Sequence, residues 1–449
     1  MAGDRERSRR GSRVPTGRLE RLARIGVMAG EFALGGAVER VRRALGGGHP
    51  ELASVFLSTG AAEGLARRLA RMRGAAMKLG QLLSLEGDQL LPAEFADALA
   101  VLRASADAMP ASQVRRVLGR EYGKGWEARF RRFDFEPVAA ASIGQVHRAL
   151  TVDGRDLALK IQYPGVAGSI DDDVDNLATF LRLARVLPLD LDVDALASEA
   201  KRQLRREADY RTEAANLRRY AALVADEPAV RLPGVHDDLS TTRILALDFL
   251  EGEPIEALGD HRQAERDALG ALLHRLVLRE LFEFHFMQTD PNFANYRLET
   301  ASGRLVLFDF GAAQEVPAAL AARYARLFRA ALARDREGLL AASLELGFAR
   351  AGDPPHRVQG LLDLILLVCE PLRHHGVYDF ARSDLASRAR DAGFELAFGR
   401  GFLRPPPPET LFLHRKLAGT FFLCARLRAR VDVRSVLEPF LARAAVDGV

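Results

Sequence analysis

Lysine is the scarce residue of this sequence. Only five of its 64 basic residues are lysine (Lys78, Lys124, Lys160, Lys201 and Lys416), so arginine is the default cation and a lysine in a patterned stretch is informative. Cysteine is nearly absent: Cys369 and Cys424 both lie in apolar, helix-patterned surroundings. Two buried thiols in a reducing compartment fit that usage better than a disulfide or a metal site. No run reaches the ~18–20 apolar residues needed to cross a bilayer, and the strongest, 25–38, is interrupted by Glu31. The basic start, MAGDRERSRRGSR, is not followed by an apolar core and a small-residue cleavage site. The expected location is therefore cytoplasmic, with a peripheral place on the inner membrane as the alternative. A net charge of +4 over 449 residues is too small to argue for a nucleic-acid partner.

What remains is the composition of a folded protein, 48% hydrophobic and 28% charged, long enough for two or three units. Residues 1–60 read as a basic, Arg/Ser/Gly-rich start followed by an amphipathic helix from Arg18 to Leu45, apolar on one side and arginine-rich at its ends. Such a helix either packs on the body of the protein or lies in a membrane interface. Residues 61–112 read as a helical extension in which Lys78 and Gln81 share a face three residues apart. Residues 113–250 turn strand-like with a helical insertion, and 251–449 are mostly helical, with Pro405 to Pro408 as a stiff spacer before a last helical stretch around Lys416.

The stretch around which the chain is organised is ELFEFHFMQTDPNFANYRLETASGRLVLFDFG, from Glu280 to Gly311. It closes an amphipathic helix carrying Leu273, Leu276, Val277, Leu281 and Phe284, and leaves it at Thr289-Asp290-Pro291. Asn295 follows five residues after Asp290, and a Ser302-Gly303 turn and a short apolar strand deliver Asp309-Phe310-Gly311. An Asp, an Asn five residues on, a hairpin and then Asp-Phe-Gly is the order of a kinase catalytic loop and metal-binding Asp. Acids that merely cap turns are the ordinary alternative.

Partners for that order stand upstream. Phe133 opens strand periodicity, and a loop of small residues, Ala139-Ala140-Ala141-Ser142-Ile143-Gly144-Gln145, precedes two strands joined at Val152-Asp-Gly-Arg155. The second strand carries Lys160. Small side chains let backbone N–H groups approach phosphates, and a strand lysine supplies charge to them. A helix between Ala197 and Tyr220 holds Glu207, Asp209 and Glu213, with Asp209 and Glu213 one turn apart on one face, and is the best donor of the Glu that fixes that lysine. Asp171-Asp-Asp-Val-Asp175 reads as the acidic first turn of another helix. Leu245 to Pro254 reads as a strand running into a hinge.

Taken together, Lys78-x-Gly80-Gln81, the alanine loop to His147, Ala158-Leu-Lys160-Ile-Gln-Tyr-Pro-Gly165, Glu207-x-Asp209, Glu213, Gln288-Thr-Asp290-Pro-Asn292 and Asp309-Phe-Gly resemble the UbiB family of atypical protein-kinase-like proteins, which carry the AarF domain. The wording MQTDPN and LHRK looks like its mitochondrial-type branch, the coenzyme Q chaperone kinases. The resemblance implies an α+β, two-lobed protein-kinase-like fold with a helical N-terminal extension and a helical insertion in the N-lobe. It also implies that Lys160 contacts phosphates and pairs with Glu213, that Asp290 is the catalytic acid, and that Asn295 and Asp309 bind Mg2+. The alanine loop with Ser142, Gly144 and Gln145, and the hinge residues Asp248, Phe249 and Leu250, would hold ATP or ADP. Lys78 and Gln81 would form a regulatory extension with Glu207 and Asp209. Expected partners are the nucleotide, an isoprenoid or quinone-like lipid precursor, the membrane surface and coenzyme Q biosynthetic proteins. The implied function is an ATPase or phosphotransferase supporting ubiquinone or a related lipid pathway. Its rivals are a nucleotide-gated lipid-binding module without chemistry and a true protein kinase, and Asn292, standing where ordinary Ser/Thr kinases have a lysine, speaks against the last.

Overall fold

The computed structural model describes residues 108–141, 143–184, 193–402 and 406–446. The expected helix at 18–45, the extension bearing Lys78 and Gln81, and Ser142 lie outside the described residues. In chain order the elements are α1 (Ala111–Tyr122), β1 (Phe130–Phe133), β2 (Ala139–Ala141), β3 (Gly144–Thr151), β4 (Asp156–Gln162), α2 (Val166–Ala184), α3 (Val193–Glu207), α4 (Tyr210–Leu223), β5 (Val230–Arg231), β6 (Ile244–Asp248) and β7 (Glu253–Pro254). They continue with α5 (Gln263–Phe282), β8 (Phe286–Met287), β9 (Tyr296–Glu299), β10 (Arg304–Leu307), β11 (Gln314–Glu315), α6 (Ala318–Ala333), α7 (Arg336–Glu345), α8 (Pro355–Val368) and α9 (Glu370–Arg373). The last are β12 (Tyr378–Asp379), α10 (Leu385–Phe394), α11 (Pro408–Leu427), β13 (Arg430–Val431) and α12 (Val433–Val446). The chain forms two compact units: one runs through Ala215 and resumes over Gly234–Phe249, the other comprises Asn216–Pro233 and Leu250–Val449.

The first unit is built on an antiparallel sheet in the order β1-β3-β4-β6, with β2 folded onto the start of β3. Its alternation is that of a half-buried sheet: Leu157, Leu159 and Ile161 of β4 are fully buried, while Lys160 points to the other face. The β3–β4 turn is closed at Gly154, whose φ of +94° few other residues adopt. Helices α2 and α3 pair through Arg205–Asp171 and Lys201–Asp175 at 2.6 Å, exposed contacts worth at most about 1 kcal/mol each.

Two helix boundaries in this part of the chain differ from those expected. The acidic run 171–175 is not a first turn, because α2 already starts at Val166 behind the Pro164-Gly165 break. Asp173 instead turns inward and accepts from the Ser169 hydroxyl. The single helix expected between Ala197 and Tyr220 is two, because the Asp209 carboxylate caps a new start, accepting from the Arg211 N–H and the Thr212 hydroxyl.

The second unit is helical around α5, which is buried on several faces rather than amphipathic. It ends at Phe282, well before Thr289, because Phe286–Met287 pairs as a strand with Gln314–Glu315. A second small sheet, in the order β5-β10-β9-β7, places the turn at Gly303 between β9 and β10. The core joins Val277, Leu281 and Met287 to Tyr324, Phe328, Leu413 and Leu437. No helix of the described residues is long and apolar enough to cross a membrane.

Candidate nucleotide and metal site

In the first unit, Lys160 on β4 donates to both carboxylate oxygens of Glu213 on α4, at 2.8 and 2.9 Å. Both side chains are almost fully buried, and the ammonium also lies 5.3 Å from the centroid of the Tyr210 ring. The capped start at Asp209 places Glu213 in the first turn of α4, on the side facing Lys160. Ala139 and Ala140 are exposed and Ala141 half-buried, so the alanine strand presents backbone and methyl groups outward instead of packing beneath the sheet.

Two neighbours expected among the nucleotide contacts also hold the fold together. A β-carbon at Gly144 would stand 2.4 Å from the Ile161 carbonyl oxygen, so the glycine is there for the close approach of β3 to β4. Gln145 is buried, and its side-chain amide is committed: Oε1 accepts from the Met109 N–H at 2.7 Å, and Nε2 donates to Nε2 of His147. His147 Nδ1 in turn donates to the Asp134 carbonyl, and burial holds that imidazole below its ordinary pKa, in keeping with a neutral ring.

The hinge residues are likewise partly engaged. The Asp248 carboxylate accepts from the Gly234 N–H and lies 2.8 Å from His236 Nε2. The Phe249 N–H donates to the Asp156 carbonyl, and the Arg148 guanidinium covers the Phe249 ring. Leu250 belongs to the second unit. Glu207 is buried at the end of α3, and Asp209 is exposed in its capping role.

In the second unit, Asp290, Asn295 and Asp309 come together around one side chain, Gln288. The Gln288 amide Nε2 donates to the carbonyls of Asp290 (2.8 Å) and Asp309 (3.1 Å). Asn295 also donates to the Asp290 carbonyl, at 3.3 Å, which turns its own Oδ1 away from that oxygen. Asp309 adopts φ +59°, a left-handed conformation uncommon for a residue with a β-carbon. Its carboxylate accepts from the Gly311 N–H, while Phe310 is buried against Tyr220 with its carbonyl held by Asn216.

An Asp carboxylate and an Asn amide oxygen are hard donors suited to Mg2+, which keeps several positions for water and phosphate oxygen. Among the described residues no group of three or more His, Cys, Asp or Glu forms an all-protein metal cage.

Behind Gln288 lies a buried cluster that sequence reasoning missed. Lys416 of α11 donates to Gln288 Oε1 (3.0 Å) and the Tyr296 hydroxyl (3.2 Å), and pairs with Glu280 of α5 at 3.3 Å. Burial opposes the charge on Lys416, yet Glu280 and Tyr296 together raise its pKa above the ordinary value. Burial pushes Glu280 up, with Lys416 and the Tyr220 hydroxyl opposing. The scarcity of lysine was the available signal: two of the five, Lys160 and Lys416, sit in these two clusters.

Comparison with known proteins shows the family of the chain. Residues 101–343 match the family model described as the ABC1 atypical kinase-like domain. The chain is 38% identical over 437 residues to the mitochondrial atypical kinase COQ8B of Rattus norvegicus, covering 97% of this chain and 82% of that protein. It is 35% identical to the mitochondrial atypical kinase COQ8 of Saccharomyces cerevisiae, covering 96% and 86%. Among solved structures, the Rv3197–erythromycin complex from Mycobacterium tuberculosis is similar, with a TM-score of 0.59 and 27% identity over 85% of this chain and 95% of that one. With an α+β, kinase-like fold and a family match over more than half its length, the chain belongs to the ABC1 atypical kinase-like family, also known as UbiB.

Proposed function

We propose that this chain binds a magnesium nucleotide, ATP or ADP, and that with ATP it acts as an atypical ATPase or phosphotransferase. The observation that carries the reading is the buried Lys160–Glu213 pair beside an exposed alanine strand. A buried ion pair adds little net stability once desolvation is counted. An ammonium held ready for phosphates accounts for its presence better.

In this reading Lys160 binds phosphate oxygens, oriented by Glu213, while the backbone of Ala139–Ala141 covers them. Asp309 and Asn295 hold Mg2+, which, when bound, neutralises charge on the phosphates. Asp290 accepts the proton of the attacking water or hydroxyl through its carboxylate, its main chain being fixed by Gln288 and Asn295. The COQ8-type relatives support coenzyme Q biosynthesis as the pathway served, with an isoprenoid or quinone-like precursor at the membrane surface and coenzyme Q biosynthetic proteins as partners.

Two variants separate binding from chemistry. Asp309→Asn is expected to lose Mg-dependent nucleotide binding with the fold intact. Asp290→Asn is expected to keep binding and lose phosphate release, because its role lies in the transition state. Phosphate release would be measured with and without liposomes carrying a quinone-precursor analogue. Wild-type turnover in both variants would overturn the roles given to Asp290 and Asp309. A wild-type protein that binds nucleotide without releasing phosphate would leave a binding module without chemistry.

A further inference from the structure

Helix α11 touches the catalytic loop at two places, three residues apart on one face. At the first, Lys416 reaches Gln288 Oε1. At the second, a β-carbon on Gly419 would stand 2.1 Å from Cβ and 2.7 Å from Cγ of Pro291, the residue after Asp290. The Gly419 φ is not in the left-handed range, so only the close approach of Pro291 calls for glycine.

Gln288 carries one acceptor and two donors on its amide, and all are used. Its Nε2 faces two backbone carbonyls, those of Asp290 and Asp309, and its Oε1 faces the Lys416 ammonium. A flipped amide would set NH2 against an ammonium and oxygen against two carbonyl oxygens, so every contact would become repulsive. Lys416, a donor only, therefore fixes which way the amide points. Glu280 and Tyr296 hold Lys416 in turn, and Glu280 also accepts from the Gln288 main-chain N–H at 3.3 Å.

We infer that α11 positions the catalytic loop: Lys416 orients Gln288 so that one amide ties the Asp290 and Asp309 main chains together, and Gly419 admits Pro291 beneath them. The tie matters most at Asp309, whose left-handed backbone is disfavoured and whose carbonyl the amide holds. Gln288, Lys416 and Gly419 are positioning residues. Their proposed effect on metal binding rests on the assignment of Asn295 and Asp309 to Mg2+.

Gln288→Glu tests the tie, because it keeps size and a partner for Lys416 while removing both donors. Apparent Mg2+ affinity in the presence of ADP should fall about 10- to 100-fold, as for other groups that orient metal ligands. Metal-free ADP affinity and the circular-dichroism spectrum should stay as in wild type, and hydrogen exchange over 309–312 should quicken. Gly419→Ala tests the seat. Alanine is the better helix former and would raise the melting temperature of an unconstrained helix, whereas here melting temperature and phosphate release should both fall. Unchanged Mg2+ dependence and unchanged exchange in Gln288→Glu would overturn the inference, as would a Gly419→Ala protein that melts higher with full turnover. If wild type binds no magnesium nucleotide, the proposed function fails. Exchange at 309–312 then decides the positioning role by itself: quickening upholds it, and no change overturns it.

Discussion

A β-carbon at Gly144 would meet the Ile161 carbonyl at 2.4 Å and the Tyr210 hydroxyl at 2.9 Å. The first is backbone in the middle of a sheet and cannot swing aside. Gly144→Ala is therefore expected to destabilise the protein by about 1–3 kcal/mol, as overpacking does, with nucleotide affinity of the folded fraction little changed. Denaturant unfolding beside an ADP titration checks this. A stable variant with weakened ADP binding would return Gly144 to the phosphate loop. In a string of small residues, a glycine that meets phosphate and one that meets a neighbouring strand look alike; Ile161 and Tyr210 distinguish them only once the sheet is formed. Lys160 and Glu213 were legible because a strand lysine and a helical acid have few other reasons to stand in that order. Lys416 and Gly419 were not, since their meaning lies in contacts across more than 100 residues of chain.

At the scale of elements, the break between α3 and α4 sets the phase of Glu213. One continuous helix over 197–220 satisfies the apolar pattern equally well. What decides against it is Asp209, whose carboxylate takes the Arg211 N–H and the Thr212 hydroxyl. Removing this cap by Asp209→Ala should cost about 1 kcal/mol and lengthen the Lys160–Glu213 contact. Asp209→Asn, which still accepts from the N–H, should cost little. Thermal unfolding of the pair measures the cap. Equal stability of the alanine and asparagine variants would show that α4 starts without it. The early end of α5 has a similar cause: Phe286–Met287 is apolar enough to continue a helix, but β11, nearly thirty residues on, offers strand partners that no local pattern announces.

Over the whole molecule, two histidines make stability depend on pH. His274 is buried and His414 half-buried, and desolvation lowers each to about 4 from an ordinary 6.5. The folded state thus keeps them neutral while the unfolded chain takes up protons as the pH falls from about 6.5 to about 4. More protons bound in the unfolded state means that stability rises with pH across that window and falls on acidification. Each contributes a slope of up to about 1.4 kcal/mol per pH unit. Urea unfolding between pH 7 and pH 4.5 should show the loss, and the double variant His274→Leu with His414→Leu should flatten it. An unchanged slope would assign the acid sensitivity to other groups, His147 or the carboxylates.

The sequence by itself determined the class of fold and the order of the chemistry-bearing residues. Strand alternation ahead of helical periodicity, a lysine on the second strand after a loop of small residues, and Asp290, Asn295 and Asp309 at their spacings are local facts that any fold of this chain must respect. Tertiary structure decided which neighbours of those residues are engaged in holding the frame. Gly144 and Gln145 are engaged in it because β3 lies close against β4 and the Gln145 side chain turns inward. Lys416 and Gly419 came to the loop from Gln288 to Pro291 because α11 packs beside it. Hydrogen bonding and steric exclusion act over a few ångströms of space, whatever the distance along the chain.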